Sequence, residues 1–417
     1  KACIQQSVDV VKLLLESTVI DVNAANNAER TALFIVAKNG NEQICQMLLN
    51  HKKIDMNIQY YGKTVLYEAC KYGNVGVAEM LIKKGADVNC TTKNGKTPLH
   101  VACQHGFNQV VALLLNCPNI SVNLLTHATP QQIQNKYFKT FYAPIHLACS
   151  NKNYYSHRYR PPPQHLNNPY SHKNTFFFGS NSHNESYDDF DPAFNQTRIA
   201  IGNHQLCVEL LVHHPDVNVN IQTSKHETPL TIACQNQKFD IIKTLLQSPN
   251  IDPNTMGSYD NTALYIACQK GKINIVEMLL NIPQTDVNCM NVDQQTPISV
   301  ACDQNRTDIV KLLLDRDDLI ICKRLQENPI RKVIQKNNAE LFKILIHHPS
   351  FDVNQSDKNS VTPLGYAIES QNINFVLQLL LIPGIDVNKK SNIEPLRIGN
   401  NEGYGRRYYG HNNNNNK

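Results

Sequence analysis

The phrase Lys96-Thr97-Pro98-Leu99-His100-Val101-Ala102-Cys103, followed by Gly106 and then Val110-Val111-Ala112-Leu113-Leu114-Leu115, recurs along the chain. Its threonine returns as Thr31, Thr64, Thr228, Thr262, Thr296 and Thr362, and most neighbouring copies stand 33 or 34 residues apart. A fixed period of this size dictates a stacked-repeat architecture, in which each unit buries its apolar face only against its neighbours. Such a stack encloses no central pocket for chemistry. It offers a long surface on which something else is held.

Each residue of the phrase has a physical role. Thr97 reads as a helix N-cap whose hydroxyl satisfies an orphan N–H, and Pro98 suits the first helical position because it lacks one. Leu99, Ala102 and Cys103 share one helical face, and Gly106 predicts a left-handed stop that glycine adopts cheaply. The second helix carries Val110, Val111, Leu113, Leu114 and Leu115, too many apolar positions for one stripe, which predicts burial on two sides. An extended turn then ends on Asp-Val-Asn, as at Asp21-Val22-Asn23, Asp286-Val287-Asn288 and Asp386-Val387-Asn388, where short polar side chains brace the backbone.

Thr97-Pro98-Leu99-His100, the glycine nine residues after the threonine, the Val-x-x-Leu-Leu helix and Gly85-Ala86-Asp87-Val88-Asn89 together resemble the ankyrin repeat, over residues 1–152 and 200–398. The resemblance implies an all-α fold, an ankyrin-repeat solenoid of about nine to ten helix-turn-helix units with short β-hairpin fingers at right angles. It also implies a role, since ankyrin arrays hold other proteins on concave inner helices and fingertips. The stretch from Ser248 to Asp252, one residue longer than usual, resembles the expanded ankyrin-repeat proteins of AT-rich protists.

The units are not equal. The helix-ending glycine stands at Gly40, Gly73, Gly106 and Gly271 but is replaced by Gln237, Asn305, Asn337 and Gln371. Asparagine tolerates the left-handed region moderately and glutamine poorly, at about 1 kcal/mol relative to glycine. The second and third units are therefore expected to be the firmest, and the C-terminal ones the most prone to open. One unit is interrupted: Pro98 and Pro144 are 46 residues apart rather than 33, and the helix opening at Pro144 waits for its partner until Leu206. The expected organisation is N-terminal repeats over 1–152, a disordered insertion inside one repeat over 153–199, C-terminal repeats over 200–398, and a low-complexity Asn-rich tail over 399–417. The insertion holds 10 of the 30 tyrosines and phenylalanines beside Pro161-Pro162-Pro163, a composition open to two readings, neutral filler or a docking peptide. The chain opens mid-unit at Lys1 without a methionine, which predicts a fragment or trimmed product.

Thirteen cysteines look like chemistry until their positions are read. Cys3, Cys70, Cys103, Cys149, Cys234, Cys268 and Cys302 each follow an alanine at one place in the unit, and no CxxC occurs. They read as small core residues rather than metal ligands or disulfide halves, and unpaired thiols in this number point to the cytosol or nucleus. No phosphate-cradling glycine loop, His-Glu-x-x-His or nucleophile elbow is present, so no catalytic residue, cofactor, metal or small-molecule substrate is expected. A net charge of +5 over 417 residues is too mild to argue for nucleic acid, and the Arg, Tyr and Gly mixture at 403–411 is a single short copy. No apolar run has the length to cross a bilayer.

The family geometry implies where a partner sits: on residues just after the Ala-Cys pair and on the fingertips. That assigns Lys38, Tyr60, Tyr61, Lys71, Tyr72, Lys93, Lys96, Gln104 and His105, with Lys270 farther along. Tyrosine beside cations is a usual hot-spot composition, so a partner with an acidic or mixed segment is expected along the N-terminal half. The expected function is a non-catalytic scaffold or adaptor holding one or more proteins. The alternative is the recognition or regulatory arm of a larger enzyme or channel whose effector domain lies elsewhere. Asn23, Asn89, Asn288, Asn354 and Asn388 resemble the family's site of side-chain hydroxylation, with turn bracing as the competing role.

Overall fold

The computed structural model describes residues 1–17, 19–60, 62–127, 140–150, 203–321 and 328–389, and the chain divides into two compact units, Lys1–Val300 and Ala301–Lys417. The insertion expected over 153–199, the tail expected over 399–417 and Tyr61 lie outside the described residues.

Short helices follow one another in pairs. After Val8–Leu15, the first unit runs Ala32–Asn39 with Glu42–Leu49, Val65–Lys71 with Val75–Lys83, and Pro98–His105 with Asn108–Leu115. It continues with Pro144–Ser150 and His204–Val212, Pro229–Gln235 and Phe239–Leu246, then Ala263–Lys270 and Ile273–Leu280. The boundary falls within the helix Pro297–Asp303. The second unit holds Thr307–Leu314, then Pro329–Gln335 with Ala339–Ile346 and Pro363–Glu369 with Ile373–Leu380.

The first helix of each pair begins where its threonine predicts. Thr31, Thr64, Thr97, Thr228, Thr262 and Thr362 have extended backbone, and each hydroxyl accepts the N–H three residues on. At Thr97 with His100 and at Thr228 with Thr231 the bond is returned, closing a capping box. First helices then pack on first helices: Val65–Lys71 lies against both Ala32–Asn39 and Pro98–His105, and second helices pack on second helices in the same way. Cys70, Cys103, Cys149, Cys234 and Cys268 are fully buried in these layers, and the twelve described cysteines are free thiols. In the second unit the layer is closed by Phe342 and Phe375, stacked with ring centroids 4.2 Å apart.

The helix stops adopt one conformation whatever the residue. Gly40 (φ 74°) and Gly106 (φ 73°) are left-handed, and so are Gln237 (57°), Asn305 (58°), Asn337 (52°) and Gln371 (54°). At Gly40 the neighbouring unit adds a second constraint. A Cβ there would lie 2.3 Å from Asn74 Oδ1, because Asn74 Nδ2 reaches over to donate to Ala37 O at 2.7 Å and Lys38 O at 3.0 Å. Where Asn337 replaces the glycine, its Oδ1 accepts from Asn372 Nδ2 of the next pair at 2.8 Å.

The fingers depart from the expected hairpins. Among the described residues no strand forms, and ladder pairing is reduced to one bridge, Tyr60 with Lys63. Most fingers instead close as tight turns. A backbone bond spans four residues, from Asn26 N to Arg30 O (3.0 Å), Thr92 to Lys96 (2.9 Å), Thr223 to Glu227 (2.9 Å), Asn291 to Gln295 (3.1 Å) and Asp357 to Val361 (3.1 Å). The residue before the close donates back to the first carbonyl, as Glu29 N does to Asn26 O at 2.8 Å. The opening side chain accepts the closing N–H as well, as Asn26 Oδ1 does from Arg30 N and Asp357 Oδ1 from Val361 N. The residue before the close is left-handed: Glu29, Gly95, His226, Gln294 and Ser360. The chain enters its next helix cap directly after this turn, which leaves no length for a second ladder rung.

Candidate partner-binding face

Within the first unit the inner-helix ends of successive pairs lie side by side, and this brings the predicted residues together. Lys38 is the penultimate residue of Ala32–Asn39, and Lys71 ends Val65–Lys71 just before Tyr72. The Tyr72 ring receives both ammonium groups, Lys38 Nζ at 5.4 Å and Lys71 Nζ at 5.3 Å from its centroid. In the following pair Lys96 Nζ donates to Gln104 Oε1 at 3.0 Å, and His105 stacks on Phe107 with centroids 5.7 Å apart. All of these side chains are half-buried, while Lys93 is exposed at its fingertip. Lys270 stands apart, at the end of an inner helix that reaches Pro98–His105 only through two intervening inner helices.

Tyr60 is built into the same face from below. Its ring meets Phe34 edge-on at 5.6 Å, and the Arg30 guanidinium lies 5.3 Å above it. Arg30 and Phe34 were not among the predicted contact residues. The signal was available: Arg30, Lys63 and Lys96 all immediately precede a threonine cap, so the repeat sets three cations at one offset.

Two buried histidines tie this face to the neighbouring repeats. Thr97 N donates to His100 Nδ1 at 3.1 Å, which leaves the proton on Nε2 to donate to Tyr142 O at 3.0 Å. Ala143 N likewise donates to His146 Nδ1 at 2.9 Å, and Nε2 reaches Ile221 O at 2.9 Å. Burial pushes both imidazoles down to about 4, so they stay neutral and structural.

The Asp-Val-Asn asparagines brace the turns that follow the second helices. Asn23 donates to Lys53 O at 2.7 Å and accepts from Asp55 N at 2.9 Å; Asn89 does so with Asn119 O (2.6 Å) and Ser121 N (2.8 Å). In the second unit Asn354 joins Gly384 O (2.8 Å) and Asp386 N (2.7 Å). The backbone N–H groups of Asn288 and Asn388 are held by Asp286 and Asp386. Asn123, which no motif singled out, makes the same double contact with Asp216 O and Asn218 N across 93 and 95 residues of sequence.

Burial, first of all, raises the thiol pKa of Cys45, Cys207 and Cys234 to about 12. Among the described residues no group of three or more His, Cys, Asp and Glu side chains is placed to hold a metal ion, and no helix is long and apolar enough to cross a membrane.

The family model for ankyrin repeats, three copies long, matches residues 1–92, 61–126, 84–158, 197–291, 250–324 and 318–391. No curated protein matches the chain. Among solved structures it is similar to the ankyrin repeat domain of human ASB11, with 21% identity and a TM-score of 0.46 over 70% of this chain and 99% of that one. Ankyrin repeats are in general protein–protein interaction modules. On the reach of the family model, this chain belongs to the ankyrin repeat family.

Proposed function

We propose that the chain is a non-catalytic scaffold or adaptor that holds an acidic segment of a protein partner against the inner-helix ends and fingertips of its first three full repeats. The observation that carries this reading is the pair of ammonium groups, Lys38 and Lys71, seated on one Tyr72 ring. Cations held over an aromatic lose less freedom when a carboxylate arrives, and the ring offers apolar contact beside them. Lys93, Lys96 and His105 extend the same chemistry to the next repeat, and Tyr61 follows Tyr60 in the sequence. Lys270 has no part in this cluster.

The asparagines Asn23, Asn89 and Asn354 fit bracing better than modification, because both ends of each amide are engaged by the next turn. An enzyme reaching them would have to open that contact.

The test uses a fluorescent Glu-rich peptide carrying scattered tyrosines, followed by anisotropy. Lys71→Glu with Lys96→Glu weakens capture about tenfold, as loss of matched charge at an interface does, and leaves thermal unfolding unchanged. Unchanged capture, or loss of capture and fold together, sinks the assignment.

A further inference from the structure

We propose a second docking surface, on the fingertips at residues 255–261 and 289–295, that takes a basic amphipathic segment of a protein partner. Met256, Tyr259, Met290 and Val292 are exposed there by 41%, 76%, 42% and 52%. Four apolar side chains left in water on two adjacent fingers make a patch of the kind that marks interaction sites when polar residues rim it.

The fingers are held together as a platform. Val292 N donates to Tyr259 O at 3.1 Å, and Asn291 Nδ2 donates to Asn261 Oδ1 at 3.0 Å. On the other side Ser258 Oγ donates to Lys225 O at 2.7 Å, and Gln222 Nε2 donates to Met256 O at 2.8 Å. The fingers are therefore fixed relative to one another by hydrogen bonds between them. Tyr259 and Asp260 are both left-handed, with φ of 60° and 57°. A tyrosine in that region is strained, and here the strain turns an aromatic ring outward.

Charge selects the occupant. Asp260 and Asp293 directly follow Tyr259 and Val292, and Asp252 and Asp286 stand at the bases of the same fingers. None of the four makes an ion pair among the described residues; Asp252 and Asp286 accept hydrogen bonds from Thr255 and Cys289. The preceding finger carries Lys225, which bounds the patch on that side. An apolar pad edged by carboxylates matches a segment with alternating apolar and cationic faces, and adaptable methionines suit a helical one. This is the opposite preference to the lysine and tyrosine face of the first repeats, so the two surfaces are separable by experiment.

The probe is a fluorescent Lys/Leu amphipathic peptide, with a Glu/Leu peptide of equal length as control, titrated into the whole chain. The Lys/Leu peptide binds more tightly although the chain carries a net charge of +5, which works against unspecific capture of cations. Met256→Ser with Met290→Ser, and separately Asp260→Asn with Asp293→Asn, each loosen it about tenfold, and Lys71→Glu with Lys96→Glu leaves it unchanged. Should either double variant lose its fold, Tyr259→Gly, which relieves the left-handed strain, still weakens binding. Equal binding of the two peptides, loss only in the aspartate variants, or loss in the lysine variants overturns the proposal.

Discussion

His100 donates from Nε2 to the carbonyl oxygen of Tyr142 at 3.0 Å, across 42 residues of sequence. His146 repeats the contact with Ile221 across 75. Each imidazole thus closes its own helix cap and clamps the following turn, and it does both only in the neutral form. Burial lowers both from 6.5 to about 4. The unfolded chain takes up these protons near the ordinary histidine value, whereas the fold resists them. Stability from the two residues is complete above the unfolded pKa and is lost as the pH falls toward the folded one, by about 1.4 kcal/mol per pH unit for each. Urea midpoints measured from pH 7 to pH 4.5 should fall steeply in the parent and less steeply in His100→Gln with His146→Gln. Parallel slopes would refute the neutral clamp.

Asn89 should be more important to stability than its half-buried place suggests. Replacing it by alanine removes bonds to Asn119 O and Ser121 N together, an expected loss of about 1–2 kcal/mol in denaturant titration. Asn89→Asp keeps the acceptor and loses the donor, so its loss should be intermediate. The same series at Asn220, which bonds Asn250 O and Asp252 N, should behave alike.

The left-handed stops give substitutions of opposite sign. Gln237→Gly and Gln371→Gly relieve a conformation that side chains resist and should each stabilise by about 1 kcal/mol. Gly40→Ala should destabilise, because its Cβ meets both the positive φ and the Asn74 amide. Amide hydrogen exchange in the flanking helices would show where each change is felt.

Thiol reactivity should follow burial and local charge. Eight of the twelve described cysteines are buried and should resist alkylation in the native protein, leaving Cys3, Cys90, Cys117 and Cys289. Burial raises the Cys289 thiol to about 12, and the Asp286 carboxylate that accepts its S–H adds to the rise. Cys289 should therefore react more slowly than Cys117, whose rise comes from burial alone. Peptide mass mapping after timed alkylation distinguishes them, and equal rates would remove the role given to Asp286.

Much of this molecule is local and so is legible from its residues. Thr97 caps, Pro98 starts and Gly106 stops a helix through contacts reaching three or four residues, and the period then dictates that like helices stack. Gln237 and Gln371 were readable as strained stops because they occupy a glycine position. What the chain alone could not reveal depends on atoms brought from elsewhere. The fingers close as tight turns because Asn26, Thr92 and Asp357 bind the backbone four residues on, a geometry that the expected hairpin pattern obscured. The Tyr72 ring between two lysines, the Tyr259 ring forced outward, and the Asn123 brace across 93 residues exist only once neighbouring repeats are in contact. Short-range hydrogen bonding wrote the repeat; packing between repeats decided which side chains meet.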